Sequence, residues 1–240
     1  MKKIYLLIAL AVFTFGSVLS EDIIKSKKED FFSILDFVVR SKKVIVKKNP
    51  PEKEFIGDVS YKNPYYEFKS DWALAKQLRE MIYYAKGNVY AKRKWSDGAV
   101  TEVFCHETNY NKTKGIAEMF PEKNGYVKII HFEPVHGKWE STSKKVIFNE
   151  KEKRVDLIGE VNIVSEKNNA SAEKISYYYL DDSFKFSGNP IIQGTHKDYE
   201  FAVTGKEAVS RDFFNNLEVS GKVKGWIKNK KGDLNDAVKM

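Results

Sequence analysis

Five glycines, Gly57, Gly87, Gly159, Gly188 and Gly221, recur inside strand-like stretches with the same surroundings. Two residues before them stand Phe55, Ala85, Leu157, Phe186 and Val219, and two residues after them Val59, Val89, Val161, Pro190 and Val223. Counting back fourteen residues from each glycine reaches the start of a preceding strand, at Lys43, Ala73, Lys145, Lys174 and Glu207. A period of this kind marks a fold built from one repeated supersecondary unit. Glycine within a strand marks a bulge or a close approach of backbone. At the same level of successive strands it bends or narrows a sheet there. The unit is clearest from Lys174 to Ile192: Ile175 to Leu180 is β-branched and aromatic, Asp181-Asp182-Ser183 is turn chemistry, and Phe184 opens a second strand.

The repeat sets expectations for the rest of the chain. Residues 43–227 form a single all-β domain, since no Pro/Gly/Ser-rich linker divides Val44 from Ile227. Ala73, Leu74, Ala75, Gln77, Leu78 and Met81 are helix formers by propensity, but the repeat places them on strands. In a degenerate third unit Pro121 stands where the glycine would be, and Asn124-Gly125 predicts a hairpin. Before the repeats, residues 21–42 form a lead-in. There the spacing of Phe31, Ile34, Leu35 and Val38 predicts a short helix, although the same residues also fit a mixed strand. Residues 228–240 are a charged tail. Met1 to Ser20 has a Lys2-Lys3 n-region, an apolar run from Ile4 to Phe15 and a small-residue site at Val18-Leu19-Ser20, the pattern of a cleaved secretory signal.

Composition and motifs narrow the chemistry. The chain has 240 residues, with 41 Lys plus Arg against 33 Asp plus Glu, a formal charge of +8. That balance suits an anionic partner, whether nucleic acid, phospholipid or phosphorylated glycolipid, and equally suits a lysine-rich soluble surface. One cysteine, Cys105, excludes an intrachain disulfide and reads as an inert core thiol. His131 and His136 flank Pro134, which removes the helical spacing that would bring two histidines to one metal. No Gly-rich phosphate loop and no Gly-x-Ser-x-Gly nucleophile motif occurs. These residues indicate neither enzyme nor cofactor. The period-two face through each glycine, Phe55, Val59, Tyr83, Ala85, Val89, Val155, Leu157, Val161, Phe184, Phe186, Ile192, Leu217, Val219 and Val223, faces either an apolar trough or the core of a closed sandwich.

The stretch Ala172-Glu173-Lys174-Ile175-Ser176-Tyr177, followed by Phe184-Lys185-Phe186-Ser187-Gly188-Asn189-Pro190-Ile191-Ile192, resembles the repeat of the OstA-like proteins, which include the LptA-type periplasmic bridge of lipopolysaccharide transport. Tyr83 to Val89 and Val155 to Val161 match its second half. The departures are Pro121, Pro190 and the longer connection between Pro121 and Trp139. The resemblance implies an open β-jelly roll of two facing antiparallel sheets, a periplasmic location, and a trough for the acyl chains of lipopolysaccharide or a similar anionic glycolipid. It implies association with other jelly-roll transport components, and end-to-end self-association, through sheet edges, with no nucleic-acid partner, metal or cofactor. Two alternatives are an inner-membrane-anchored LptC-type component of the same pathway and a secreted carbohydrate-active enzyme on a repetitive β scaffold.

The first expected outcome concerns the leader. Intact mass spectrometry of natively purified protein should find a chain beginning near Glu21. Retention of residues 1–20 in a membrane fraction would favour the anchored component instead.

Overall fold

The computed structural model describes residues 32–34, 37–77, 79–230 and 238–239, and side chains are described for 39–77 and 79–230. The signal segment lies outside the described residues. Twenty strands follow in chain order: β1 (Phe32–Ile34), β2 (Phe37–Arg40), β3 (Lys43–Lys48), β4 (Pro51–Lys62), β5 (Tyr66–Gln77), β6 (Met81–Lys94), β7 (Val100–Asn111), β8 (Ile116–Phe120), β9 (Val127–Glu133), β10 (Gly137–Ser143), β11 (Lys145–Asn149), β12 (Arg154–Ser165), β13 (Asn168–Tyr178), β14 (Ser183–Ser187), β15 (Ile191–His196), β16 (Tyr199–Thr204), β17 (Glu207–Arg211), β18 (Asn216–Ser220), β19 (Lys224–Asn229) and β20 (Val238–Lys239). The fold is all-β, and every pairing is antiparallel.

The long strands each pair with different neighbours along their two halves. β4 runs beside β3 up to Ile56 and beside β2 at Ser60 and Tyr61. β12 runs beside β11 up to Ile158 and beside β10 from Asn162. The sheet therefore folds into two rows. One row runs from β3 through the adjoining halves of β4, β5, β6 and β7 to β8, β11, halves of β12 and β13, β14, β17 and β18. The other runs from β1 and β2 through the remaining halves to β9, β10, β15, β16, β19 and β20. The rows face each other: Trp139 of β10 meets Tyr177 of β13 and Phe184 of β14 edge-on, with ring centroids 6.1 and 6.5 Å apart.

The corners between rows are the repeat glycines. Gly57, Gly87, Gly159, Gly188 and Gly221 have φ of 76, 76, 78, 80 and 73°, and each is followed by a second left-handed residue, Asp58, Asn88, Glu160, Asn189 or Lys222. In β4, β6 and β12 these two residues face one on the neighbouring strand, a bulge that breaks the register and turns the strand. Space compels glycine as well as φ. An added Cβ would lie 2.4 Å from Glu173 Cβ at Gly188 and 2.8 Å from Asp71 Cβ at Gly87. The neighbouring corner closes with a backbone bond where Lys42, Lys144 and Lys206 N–H donate to Gly57, Gly159 and Gly221 at 2.9, 3.0 and 2.9 Å.

Three local expectations are met or corrected here. The alanine-rich segment is strand: β5 and β6 hold Ala73, Ala75 and Ala85 inward at 2, 6 and 1% exposure. The expected short helix over Phe31–Val38 gives way, where described, to the strand pair β1–β2, with Phe32 opposite Val39. Local spacing fitted both readings, and pairing with β4 decides for strand. Asn124-Gly125 is not a hairpin: β8 pairs with β7 and β11, and β9 with β7 and β10, so the loop crosses between rows. Phe120 still lies opposite Glu107, the register of the other units, so Pro121 stands at the corner and a loop replaces the two left-handed residues.

Gly188→Ala should destabilise the fold by about 2 kcal/mol or more, because it adds left-handed strain to a Cβ collision. Urea unfolding of the purified protein checks this, and an unchanged midpoint would contradict the corner geometry.

Candidate functional site

Side-chain alternation in both rows sends one face of every strand into the space between them. Phe55, Val59, Tyr83, Ala85, Val89, Val155, Leu157, Val161, Phe184, Phe186 and Ile192 all lie there, none more than 4% exposed. Leu217 and Val219 are half-buried against the same cluster. Val223 does not join them and is 38% exposed. It follows the last corner, where among the described residues β18 pairs only with β17 and no further unit covers it. Lys86, Lys185 and Lys222 are exposed, as the alternation requires. Asp156 is also on the outer face but is buried. It accepts hydrogen bonds from Ser176 Oγ at 2.5 Å and Arg154 Nε at 3.1 Å, and Lys174 Nζ lies 3.5 Å away, so an ion cluster covers it where open water is expected.

Aromatic residues dominate the interior toward the C-terminal half. Tyr177 stacks on Phe184 at 4.6 Å, and Phe184 on Phe186 at 6.0 Å. The rows pack closely, leaving between Trp139, Leu157, Tyr177 and Phe184 a void of about 10 Å³, about the size of one water. Polar groups interrupt the apolar lining. Thr101 Oγ1 is hydrogen-bonded to His131 Nδ1 at 2.8 Å and receives the Trp95 indole N–H at 3.2 Å. Burial holds the His131 imidazole down at about 4, so it is neutral. Trp139 Nε1 and the hydroxyls of Ser70, Thr108 and Ser141 are buried without a hydrogen-bond partner. Cys105 packs against the cluster, and burial pushes its thiol up to about 12, the environment of an unreactive cysteine. His131 is thus a core residue, whereas His136 lies at the surface stacked on Phe213 at 4.9 Å, and among the described residues no group of three His, Cys, Asp or Glu could hold a metal.

The glycine corners join the rows along one side. Along the other, hairpin turns of both rows meet as a mouth, bridged by side chains. Arg93 of one row lies 3.6 Å above the Trp95 ring and feels the Glu150 and Tyr179 groups of the other. Further along, Glu133 is 9% exposed, and its carboxyl is raised by burial and by the charge of Asp182 in the opposite row. Asp182 itself accepts the Tyr177 hydroxyl at 2.8 Å.

At the C-terminal part of the mouth lies a cavity of about 810 Å³. Three turns of one row supply its polar wall: His136 after β9, Glu166 and Lys167 after β12, His196 at the end of β15 with Lys197 after it, and Lys230 following β19. The opposite wall is the β17–β18 turn. Asp212, Phe213 and Phe214 there have φ of 50, 46 and 69°, a left-handed run without glycine. Such a run costs on the order of 1–2 kcal/mol per residue. It holds because both rings are buried and the Phe213 and Phe214 N–H groups donate to Asp182 O at 3.3 Å and Ser210 Oγ at 2.9 Å. Phe214 rests 5.3 Å from Phe184, so this turn stands between the cavity and the interior. Sequence reasoning missed Phe213 and Phe214. The available signal was an aromatic pair set between Asp212 and Asn215, turn residues that leave rings at a hairpin tip.

No family model matches this chain, and no curated protein matches it either. Among solved structures it is similar to LptH, the LptA homologous periplasmic component of the conserved lipopolysaccharide transport device from Pseudomonas aeruginosa, at 14% identity over 63% of this chain and 82% of that one, with a TM-score of 0.32. The two-row fold rests on the strand pairing.

A raised carboxyl favours the protonated folded state, so the stability it supports is present below the unfolded value of 4.5 and falls as pH rises through the folded value. Glu133→Gln should therefore melt higher than the wild type at pH 7.5 and together with it below pH 4, in thermal scans at the two pH values. Equal melting at pH 7.5 would show that the buried carboxylate carries no strain.

Proposed function

We propose that this protein is a periplasmic lipid-transfer bridge that shields the acyl chains of lipopolysaccharide, or of a similar anionic glycolipid, between its two rows on the way to the outer membrane. The observation that carries this reading is the single hydrophobic cluster that runs through the interior from Phe55 to Val203, bordered by a mouth that side-chain contacts close among the described residues. Each methylene withdrawn from water gains about 0.8 kcal/mol, so a dozen would gain roughly 10 kcal/mol. Between Trp139, Leu157, Tyr177 and Phe184 the rows leave a void of only about 10 Å³, so a lipid chain must part them at this level. On the glycine side β4, β5, β6, β7, β12 and β13 run through from one row to the other and resist this. The mouth opens by losing ring contacts and polar contacts between turns, without loss of ladder hydrogen bonds. The buried Trp139 indole and the hydroxyls of Thr108 and Ser141, unpartnered in the closed form, would line the opened space. The task requires no covalent chemistry and no cofactor.

In this reading residues 1–20 are removed as a signal, residues 21–42 lead in, residues 43–227 form the jelly-roll domain, and residues 228–240 are a charged tail. The outer edges of β3 and β18 have no partner strand among the described residues. They are the places where other jelly-roll components, or a second copy, would add a strand by β-augmentation.

Photo-crosslinking probes tell a groove from a plain core. Probes at Phe186 and Leu157 should capture glycolipid in cells, and probes at Lys185 and Lys86 on the outer face should not. Equal capture from both faces would contradict the register. A folded protein with no capture at either face would identify the interior as core alone.

A further inference from the structure

We propose that the mouth cavity seats the phosphate-bearing headgroup of an amphiphile, and that the Phe213–Phe214 tip is the plug its acyl chain displaces to reach the interior. This rests on the groove reading above and adds a place of access to it. The cavity, about 810 Å³, has the size of a ligand site, and its two walls differ in chemistry. Lys167, Lys197 and Lys230 converge from separate turns, with His136 and His196 among them and Glu166 as the opposing charge. The Lys230 ammonium rests on the Lys197 carbonyl at 3.4 Å, which keeps it at the rim. Facing these cations are the Phe213 and Phe214 rings. A free phosphate would use only the cationic wall and a neutral lipid only the aromatic one; an anionic amphiphile uses both.

A chain of ring contacts leads inward from the tip. Phe214 lies against Phe184 and Phe186 at 5.3 and 5.8 Å, and Phe184 also borders the small interior void. The tip crosses the mouth without joining the other row's ladder. Phe213 touches that row by stacking on His136, and the backbone donors of the tip bond within their own row. Outward movement of the tip therefore breaks no strand pairing and releases three left-handed residues toward ordinary backbone.

Dodecyl phosphate below its micellar concentration is the probe, with dodecyl maltoside and inorganic phosphate as comparisons, titrated calorimetrically into the full chain. Dodecyl phosphate should bind and be captured by a photo-probe at Phe186. The Lys167→Ala/Lys197→Ala/Lys230→Ala variant should bind it about tenfold more weakly, with dodecyl maltoside binding unchanged. Phe213→Ala should speed capture at Phe186, and if that variant does not fold, the exposed lysines still provide the test. Undiminished affinity in the lysine variant, with capture intact, would overturn the headgroup site and leave the groove standing. Inorganic phosphate binding as tightly as dodecyl phosphate would overturn the amphiphile. Absence of capture at Phe186 in the wild type would overturn the groove and this inference together.

Discussion

A pair of consecutive left-handed residues, the first of them glycine, is the constraint on which this architecture depends. Hydrogen-bonded antiparallel strands twist smoothly and do not turn back on themselves. At Gly57, Gly87, Gly159, Gly188 and Gly221 the chain takes φ of 73–80° and continues in the other row. At Gly87 and Gly188 the neighbouring strand lies so close that a side chain on the glycine would collide with it. One such corner would bend one strand. Five at one level fold the whole sheet along a line and oppose the apolar faces of its halves. The Pro121 loop keeps the register of the third unit while crossing by a different route, so the corner position matters more than its chemistry there.

This construction makes the molecule asymmetric. The corner side is covalently continuous and hydrogen-bonded, whereas the rows meet at the mouth through contacts of modest individual strength, the attraction of the Arg93 guanidinium to Glu150 and Tyr179 and a histidine stacked on a phenylalanine. The buried Glu133 carboxyl near Asp182 is a like-charge approach that works against closure. Separation of the rows at the mouth leaves every ladder intact, which suits a protein whose interior takes up a chain-like apolar ligand. The interior is also less uniformly apolar than a pure core. Leaving polar groups such as the Trp139 indole buried and unpaired has a cost, and a function in an opened state is one reason for a protein to retain them.

The interior face was largely legible because two periods agree, the strand period of two and the repeat spacing of glycine. Together they place Phe55, Leu157 and Phe186 inward and Lys86 and Lys185 outward, and they override the helical propensity of Ala73 to Met81. They fail at the ends and edges. Val223 has the right spacing but no neighbouring unit to cover it, and Asp156 points outward yet is buried by Arg154 and Lys174. Asn124-Gly125 carries hairpin chemistry but joins strands of different rows, since a turn signal says that the chain reverses and not which strand it meets next.

By itself, then, the sequence determined the strands, their inner faces and the level at which the sheet bends, because alternation, propensity and glycine's backbone freedom are local properties. Tertiary structure alone decided what stands opposite what. Phe213 and Phe214 are far in sequence from His136, Lys167 and Lys197, and each group lies in a turn of its own. Only the folding of one row over the other brings these turns to a single mouth and makes a cationic wall face an aromatic one.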